Sequence, residues 1–310
     1  MKLIKGSMAL LVALSVGCSK KSDSTSTTSA TTASETAQQV GDSMASVDEF
    51  GGSGGSMTYM ESEKRIFARV AGHEALSPIA SQASFVSLLV PQAQATSCIL
   101  ANTWGSCTTT GGADKIVRTF GGCTIGGATL DGTVTLTFTD AAVNSTCAMA
   151  ASGHSITRDP NFTITAANGA TYTVSKTGTE GQKVVRGASA GNYTFSNDGI
   201  RRVIASGGTT LFDMTTQTTS AITVTGASRS GRVMTGGSLR TTNNLTSVTC
   251  DFVPTAVTWV SSCNCPTSGE WAATCSDGKS GEIEITGCGT GTITLGTTSE
   301  SVTFDRCYGI

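Results

Sequence analysis

A two-residue alternation between apolar and hydroxyl side chains most constrains how this chain folds. Over residues 133–138, Val134, Leu136 and Phe138 alternate with three threonines. Similar alternating runs recur at 162–164, 172–174, 193–195, 222–224, 283–285, 293–295 and 302–304. Because successive side chains of a strand point to opposite faces, each run predicts a strand with one apolar face and one Thr/Ser face.

Turn signals separate these runs. Asn168-Gly169 is a strong hairpin signal, and Asn197-Asp198-Gly199 predicts another turn of the chain. The absence of helical patterns of 10 to 15 residues between the runs argues against a parallel sheet with crossover helices. We therefore predict a mostly-β domain over 97–310. Its strands form an antiparallel meander, as an open sheet, a sandwich or a partial barrel, with one or two short N-terminal helices.

Two segments of different character precede this domain. Residues 18–57 are rich in Ser, Thr and Gly and hold few apolar residues, which predicts a flexible tether. Over 58–96, Ile66, Phe67 and Val70 have helical spacing, and Ser77-Pro78 is typical of a helix start. We predict two short helices there. The alternative is a partly ordered extension of the tether.

The N-terminus has the organisation of a signal peptide. Lys2 and Lys5 precede an uncharged run over 8–16, which is far shorter than the roughly 20 apolar residues that span a bilayer. The run ends in Gly17-Cys18 and resembles the lipobox of bacterial lipoprotein signal peptides, except that Ser15 stands where Leu is usual. The resemblance implies that residues 1–17 are removed and that Cys18 receives a diacylglycerol thioether and an acylated amino group. The alternative is an ordinary secretory signal with a chance cysteine.

The same resemblance carries an expectation about location. Ser19 and Lys20 follow the cysteine, without the Asp that favours retention in the inner membrane of well-studied lipoproteins. This implies an outer-membrane lipoprotein on the periplasmic or cell-surface face, whose partner is the membrane, bound through the N-terminal lipid.

Composition and charge exclude other classes. Only 38% of residues are hydrophobic and 14% are charged, with 37 glycines, which is typical of a β-rich exported protein. The formal net charge of -2 argues against nucleic acid as a partner, since that partner requires a basic surface.

Ten cysteines remain besides Cys18, and an even number in an exported chain predicts disulfides. They are Cys98, Cys107, Cys123, Cys147, Cys250, Cys263, Cys265, Cys275, Cys288 and Cys307. Free thiols or a metal site are the alternative. The chain has no CxxC pair and only two histidines, so we predict no metal site and no cofactor.

Cysteine spacing predicts duplicated units at 98–147 and 265–307. Trp104 and Trp271 each shortly precede the second cysteine of their unit, and a Gly/Thr-rich strand follows each third cysteine. The simplest disulfide scheme pairs first with second and third with fourth cysteine in each unit. It leaves Cys250 to pair with Cys263 and places Cys288 opposite Cys307 across a hairpin that turns near 296–299.

The candidate catalytic motifs lack their structural context. Ser189 lies in a GxSxG sequence, but a strand-like run follows it and no histidine occurs after His154. His154 has Asp159 nearby in sequence, with no identifiable nucleophile. Residues 41–43 match the start of the GDSL hydrolase block but fall in the predicted tether. Trp104, Trp259 and Trp271 lie in strand-like runs and are expected in the core rather than at a sugar site.

These observations favour a non-enzymatic function. The sequence predicts a membrane-anchored envelope or surface lipoprotein with a structural role or with a protein, glycan or lipid ligand. The alternative is a periplasmic lipid or lipoprotein carrier, in which a helix covers the concave face of an open antiparallel sheet. A serine hydrolase ranks last.

Overall fold

The structure is a computed structural model, which describes residues 33, 36–44, 108–125, 128–146, 149–304 and 307. The signal peptide, Cys18 and the predicted helical segment 58–96 lie outside the described residues, as do Cys98, Trp104, Cys107 and Cys147.

The described residues form seventeen strands, two α-helices and a short 3-10 helix at Arg229–Gly231. The α-helices are α1 (36–44), which follows a helical residue at 33, and α2 (Ala141–Thr146). The strands are β1 (Thr108–Gly111), β2 (Lys115–Ile125), β3 (Ala128–Phe138), β4 (Ser155–Thr165), β5 (Thr171–Lys176), β6 (Gln182–Arg186), β7 (Tyr193–Asn197), β8 (Ile200–Ser206), β9 (Thr209–Ser220), β10 (Ile222–Thr225), β11 (Val233–Thr235), β12 (Ser238–Asn243), β13 (Val248–Trp259), β14 (Pro266–Cys275), β15 (Ser280–Gly287), β16 (Thr290–Leu295) and β17 (Thr298–Thr303).

All pairings among these strands are antiparallel, and they form one meander. β1 to β4 pair in chain order, and so do β13 to β17. Between them, β4 pairs with β5 through its C-terminal half and with β6 through its N-terminal half. Since β5 and β6 are both antiparallel to β4 and pair with successive parts of it, they together occupy one strand position of the sheet, which is interrupted between them. The predicted mostly-β antiparallel fold is confirmed.

The next three strand positions of the sheet are interrupted in the same way. β7 and β8 occupy the first of them, β9 and β10 the second, and β11 and β12 the third. β13 then pairs with both β11 and β12. We call this aligned series of interruptions the crease. It divides the sheet between β4 and β13 into two sets of strands, one with β5, β8, β9 and β12 and the other with β6, β7, β10 and β11. Both β4 and β13 pair with strands of each set.

The predicted turn at Asn197-Asp198-Gly199 is wrong. β7 and β8 pair with different neighbours, so the chain keeps its direction and only crosses the crease here. Gly199 has a φ of 119°, and a Cβ on it would meet the Thr177 side chain. The glycine allows the positive φ that the turn signal predicts, but this backbone conformation produces a bend between β7 and β8 and not a reversal of the chain.

Both predicted hairpin turns that involve neighbouring strands are confirmed. Asn168-Gly169 lies between β4 and β5, with Gly169 at a φ of 82° and Thr165 opposite Thr171. The turn near 296–299 joins β16 and β17, where Leu295 pairs with Thr298. Gly296 and Thr297 form a two-residue turn, whereas the bond from the Ala166 N–H to the Ala170 carbonyl closes the first hairpin around three residues that end in Gly169.

One face of the sheet carries the core. Two apolar clusters lie on this inner face, and the outer face carries threonines in register, such as Thr119 with Thr133 and Thr137 with Thr157. The first cluster includes residues of β2 to β4 and β13 to β17 together with α1. The second cluster is formed by the inner faces of β2, β3, β4, β5, β8 and β9. The one-faced pattern is that of the predicted alternation.

The predicted tether over 18–57 is wrong in part. Residues 36–44 form α1, and every one of them is buried, as is Ala33. Their low hydrophobicity predicted a solvated chain, but small side chains suit a helix that is surrounded by sheet residues. The rest of that segment lies outside the described residues.

The predicted disulfide scheme is wrong wherever the structure describes both cysteines. The bonds join Cys250 with Cys275, Cys263 with Cys288, and Cys265 with Cys307. The antiparallel register explains them: Cys250 and Cys275 are directly opposite, whereas the β13–β14 connection, the end of β15 and the chain after β17 meet at one end of the sheet. Cys123 is also disulfide-bonded. The pairings predicted within 98–147 fall outside the described residues.

Peptide mapping under non-reducing conditions is expected to recover these three bonds. Because the register brings the cysteines together, the same bonds should reform when reduced, unfolded protein is refolded in a glutathione buffer. A Cys250–Cys263 or Cys288–Cys307 peptide as the main product would contradict the register.

The predicted duplication of 98–147 and 265–307 stays a prediction, since most cysteines of the first unit lie outside the described residues. β2–β3 and β15–β16 are both antiparallel hairpins at the matching positions. However, Cys275 and Cys288 bond to Cys250 and Cys263, which lie outside the unit 265–307. Of the four cysteines of the second unit, only Cys265 and Cys307 bond to each other, which is not the predicted pairing of first with second and third with fourth.

Two arginine–aspartate pairs on the outer face have the same geometry but different burial. Arg201 donates to both carboxylate oxygens of Asp213, and Arg240 does the same to Asp251. The Asp213 side chain is 8% exposed and that of Asp251 is 40% exposed. Hydrogen bonding from Arg201, more than that from Asn244, holds the pKa of Asp213 below its ordinary value against the opposing effect of burial.

The Asp213→Asn variant is expected to lose about 1–2 kcal/mol of stability at neutral pH, since Arg201 is half in solvent. A carboxyl with a lowered folded-state pKa stabilises the fold above its unfolded pKa of about 4 and loses this effect as pH falls through the folded value. Urea unfolding from pH 7 to pH 2 should therefore show a shallower loss for this variant below pH ~4. Asp251→Asn is the matched control, with a smaller change expected. Equal changes in both would contradict the role of burial.

Candidate functional site

The helix α1 is the centre of the candidate site. Ala37, Val40 and Met44, with Ala33 one turn earlier, form an apolar stripe that belongs to the first cluster. The opposite side of the helix carries polar residues that are equally buried, among them Gln39 and Asp42. Because both faces of this amphipathic helix are buried, its polar side chains require polar partners among the residues of the sheet.

Contacts on the apolar side fix α1 against the last strands. The indole Nε1 of Trp271 on β14 donates to the Met44 Sδ at 3.2 Å. The Gln38 side chain donates to the carbonyl of Thr303 at the end of β17. A Cβ at Gly41 would lie 2.5 Å from the ring of Phe304, so glycine is needed where the helix crosses this ring.

The polar side of α1 meets β8 and β9. The Arg202 Nη1 donates to the Gln39 Oε1 at 2.9 Å, and the Thr216 Oγ1 donates to the same oxygen at 3.3 Å. The Arg202 Nε lies 3.3 Å from the Asp42 Oδ2, and both side chains are 1% exposed. We call these four residues, Gln39, Asp42, Arg202 and Thr216, the polar layer.

Arg202 lies among apolar side chains. Ile200 and Ile204 flank it on the inner face of β8, and Val174 and Met214 are its partners in register on β5 and β9. All four belong to the second cluster. A guanidinium in such a place has lost its water, so its charge requires an anionic partner, and Asp42 supplies one.

Other arginines share the inner face, among them Arg158 and Arg118. Arg158 on β4 is 1% exposed, and Arg118 on β2 is in phase with buried Ile116 and Phe120. Burial lowers the pKa of Arg118 from its ordinary value. Arginine nevertheless stays protonated in proteins, so the inner face carries positive charge between apolar clusters. Such a surface can hold a carboxylate or phosphate group together with an apolar chain.

The predicted catalytic residues are not brought together. Ser189 is exposed in the β6–β7 turn, and β7 rather than a helix follows it. His154 has Asp140 as its partner, at 3.1 Å from Nε2 to Oδ2, and not Asp159. Asp159 accepts instead from Lys176 and from the backbone of Gly181. Ser43 is buried and donates to the Gln39 carbonyl within α1. Among the described residues, no group of three or more His, Cys, Asp or Glu side chains is placed to hold a metal ion.

The predicted core position of two tryptophans is confirmed. Trp259 is 2% exposed and Trp271 is fully buried. Trp259 has the Arg232 guanidinium 5.8 Å from its ring centroid.

Sequence reasoning missed the polar layer. One signal was available: Ala33, Ala37, Val40 and Met44 recur at helical spacing within the segment predicted as tether. Alanine carries little hydrophobic signal, and the long runs of Ser and Thr before it concealed the period. Arg202 is in the two-residue phase of Ile200 and Ile204, but arginine is typical of exposed positions, so this phase was not read as burial.

Comparison of the chain with protein-family models, curated proteins and solved structures finds no match. In the part of the chain that the structure describes, none of the helices has the length and apolar character needed to cross a bilayer.

Proposed function

We propose that this protein is a membrane-anchored envelope lipoprotein whose β domain has a non-enzymatic binding or structural role. The signal sequence and Cys18 support an anchor at the N-terminus. By the same resemblance the protein belongs to the outer membrane, on its periplasmic or cell-surface face.

The short apolar run that ends in Gly17-Cys18 is the observation that carries this proposal, and the burial of α1 limits the distance between that anchor and the domain. Only residues 19–32 separate Cys18 from Ala33, which is already buried in the domain. At most about 3.5 Å per residue, this segment reaches roughly 50 Å, which is comparable with the diameter of a domain of this size. An acylated Cys18 would therefore keep the sheet next to the membrane.

Metabolic labelling with palmitate tests the anchor. The wild-type protein should incorporate label and sediment with membranes, whereas Cys18→Ala should do neither. A soluble, unlabelled wild-type protein would contradict the proposal. Protease treatment of intact and lysed cells then separates the two faces. Digestion in intact cells indicates surface display, and protection until lysis indicates the periplasm.

Lipid carriage in the periplasm is the second candidate function. The observation that favours it is a helix with its polar face on Arg202, placed against the apolar inner face of an antiparallel sheet. Protein purified from its membrane and then delipidated under native conditions should release a lipid that mass spectrometry detects. The analogy with lipoprotein carriers concerns architecture alone.

A further inference from the structure

We propose that α1 is an exchangeable internal occupant of a fatty-acid site, and that the site takes a long-chain carboxylate when α1 leaves. This inference rests on lipid carriage, the second candidate function, and it does not depend on lipidation of Cys18. The helix already presents the chemistry of such a ligand: a carboxylate at Arg202 and an apolar stripe along the first cluster.

The dimensions and surroundings of α1 fit this ligand. Over 36–44 the helix rises about 12 Å at 1.5 Å per residue, which gives room for a large part of an extended fatty acyl chain. Arg202 stands among Ile200, Ile204 and Met214, so a carboxylate that replaced Asp42 would keep the charge pairing in an apolar setting.

The sheet does not depend on α1 for its own connections. Its strands pair with one another throughout, and its three described disulfides all join residues of 250–307. Residues 45–107 separate α1 from β1, which is ample chain for the helix to move away. A helix of this length is marginal by itself, so its place in the sheet is held by tertiary contacts that a ligand can replace.

If α1 and the ligand compete for one site, a core mutation that weakens the contacts of α1 should strengthen the binding of the ligand. Met44→Ala removes contacts that hold α1 but leaves Arg202 in place, so oleate should bind at least tenfold more tightly than it binds the wild-type protein. Arg202→Met should weaken oleate binding at least tenfold. Val253→Ala, at a 43% exposed position of β13, is the control and should not alter affinity.

The test uses the purified full-length protein, delipidated, with oleate as the probe and oleyl alcohol and acetate as controls. Titration calorimetry should show binding of oleate, weak binding of the alcohol and none of acetate. Hydrogen exchange of the wild-type protein should show that oleate exposes residues 36–44 while β13 and β14 stay protected. This measurement does not depend on whether the variants fold.

The outcomes separate the two ideas. Oleate binding with unchanged or increased protection of 36–44, or equal affinity in Met44→Ala and wild type, would leave lipid carriage standing and overturn the exchange. No oleate binding to wild type or Met44→Ala would overturn the fatty-acid site. If native lipid is nevertheless released from the membrane-purified protein, carriage stands with another ligand; if none is released, carriage fails as well.

Discussion

The Asp42→Ala variant is expected to lose about 3–5 kcal/mol of unfolding free energy, because it leaves the Arg202 guanidinium buried without this carboxylate. The carboxylate and the guanidinium are both 1% exposed, so solvent cannot replace the missing charge. Urea denaturation at neutral pH, followed by tryptophan fluorescence, measures the loss, since Trp271 contacts α1 through Met44.

Two controls isolate the charge effect. The double variant Asp42→Leu with Arg202→Met replaces both charges by apolar groups and should recover most of the lost stability. Asp251→Ala removes the carboxylate of an ion pair with both partners about 40% exposed, and should cost less than about 1 kcal/mol. If Asp42→Ala costs no more than Asp251→Ala, then α1 is not held in the core by this ion pair.

Gly132→Ala is expected to destabilise the protein by about 3–5 kcal/mol, because the position combines backbone strain with a steric clash. Its φ is 107°, and a Cβ would lie 2.3 Å from the Asn161 carbonyl oxygen and 2.7 Å from the Phe162 Cα. Relief requires β3 and β4 to separate where Phe120 and Phe162, both opposite Gly132 in register, contact each other edge to face.

Gly153→Ala is the matched control for this prediction. Gly153 has a φ of 82°, but no atom lies within 4 Å of a Cβ built on it. It should therefore show the strain contribution alone, about 1–2 kcal/mol. Thermal unfolding of the two variants and the wild type gives the comparison. Equal losses would show that the close approach of β4 does not matter.

The antiparallel β fold could be predicted from the sequence because its signals are local. Alternation such as that of Val134, Leu136 and Phe138 needs only neighbouring residues to be seen, and the Asn168-Gly169 turn is a two-residue signal. The bend at Asn197-Asp198-Gly199 shows the limit of such signals. The residues specify a backbone with positive φ, but whether the chain reverses there depends on which strands it meets.

The candidate site could not be predicted in the same way. Arg202 and Asp42 are 160 positions apart, and nothing in the local sequence of either residue indicates its partner, although the alternation places Arg202 in phase with Ile200 and Ile204. Likewise, Cys263 and Cys265 are near neighbours in the chain, yet they bond to different partners because the meander brings several strand ends together. Pairing over such separations follows from register, which the spacing of cysteines does not contain.

By itself the sequence determined the strands, their apolar face and the oxidised cysteines, because each depends on side-chain period or on residue type. Only the tertiary structure decided that a helix of mostly small residues, from the segment predicted as a tether, packs against the inner face of the sheet. The physical reason is that α1 gains its stability from the surface that receives it. Ala33, Ala37, Val40 and Met44 bury little area in an isolated helix, and Asp42 belongs in the core only where Arg202 is present.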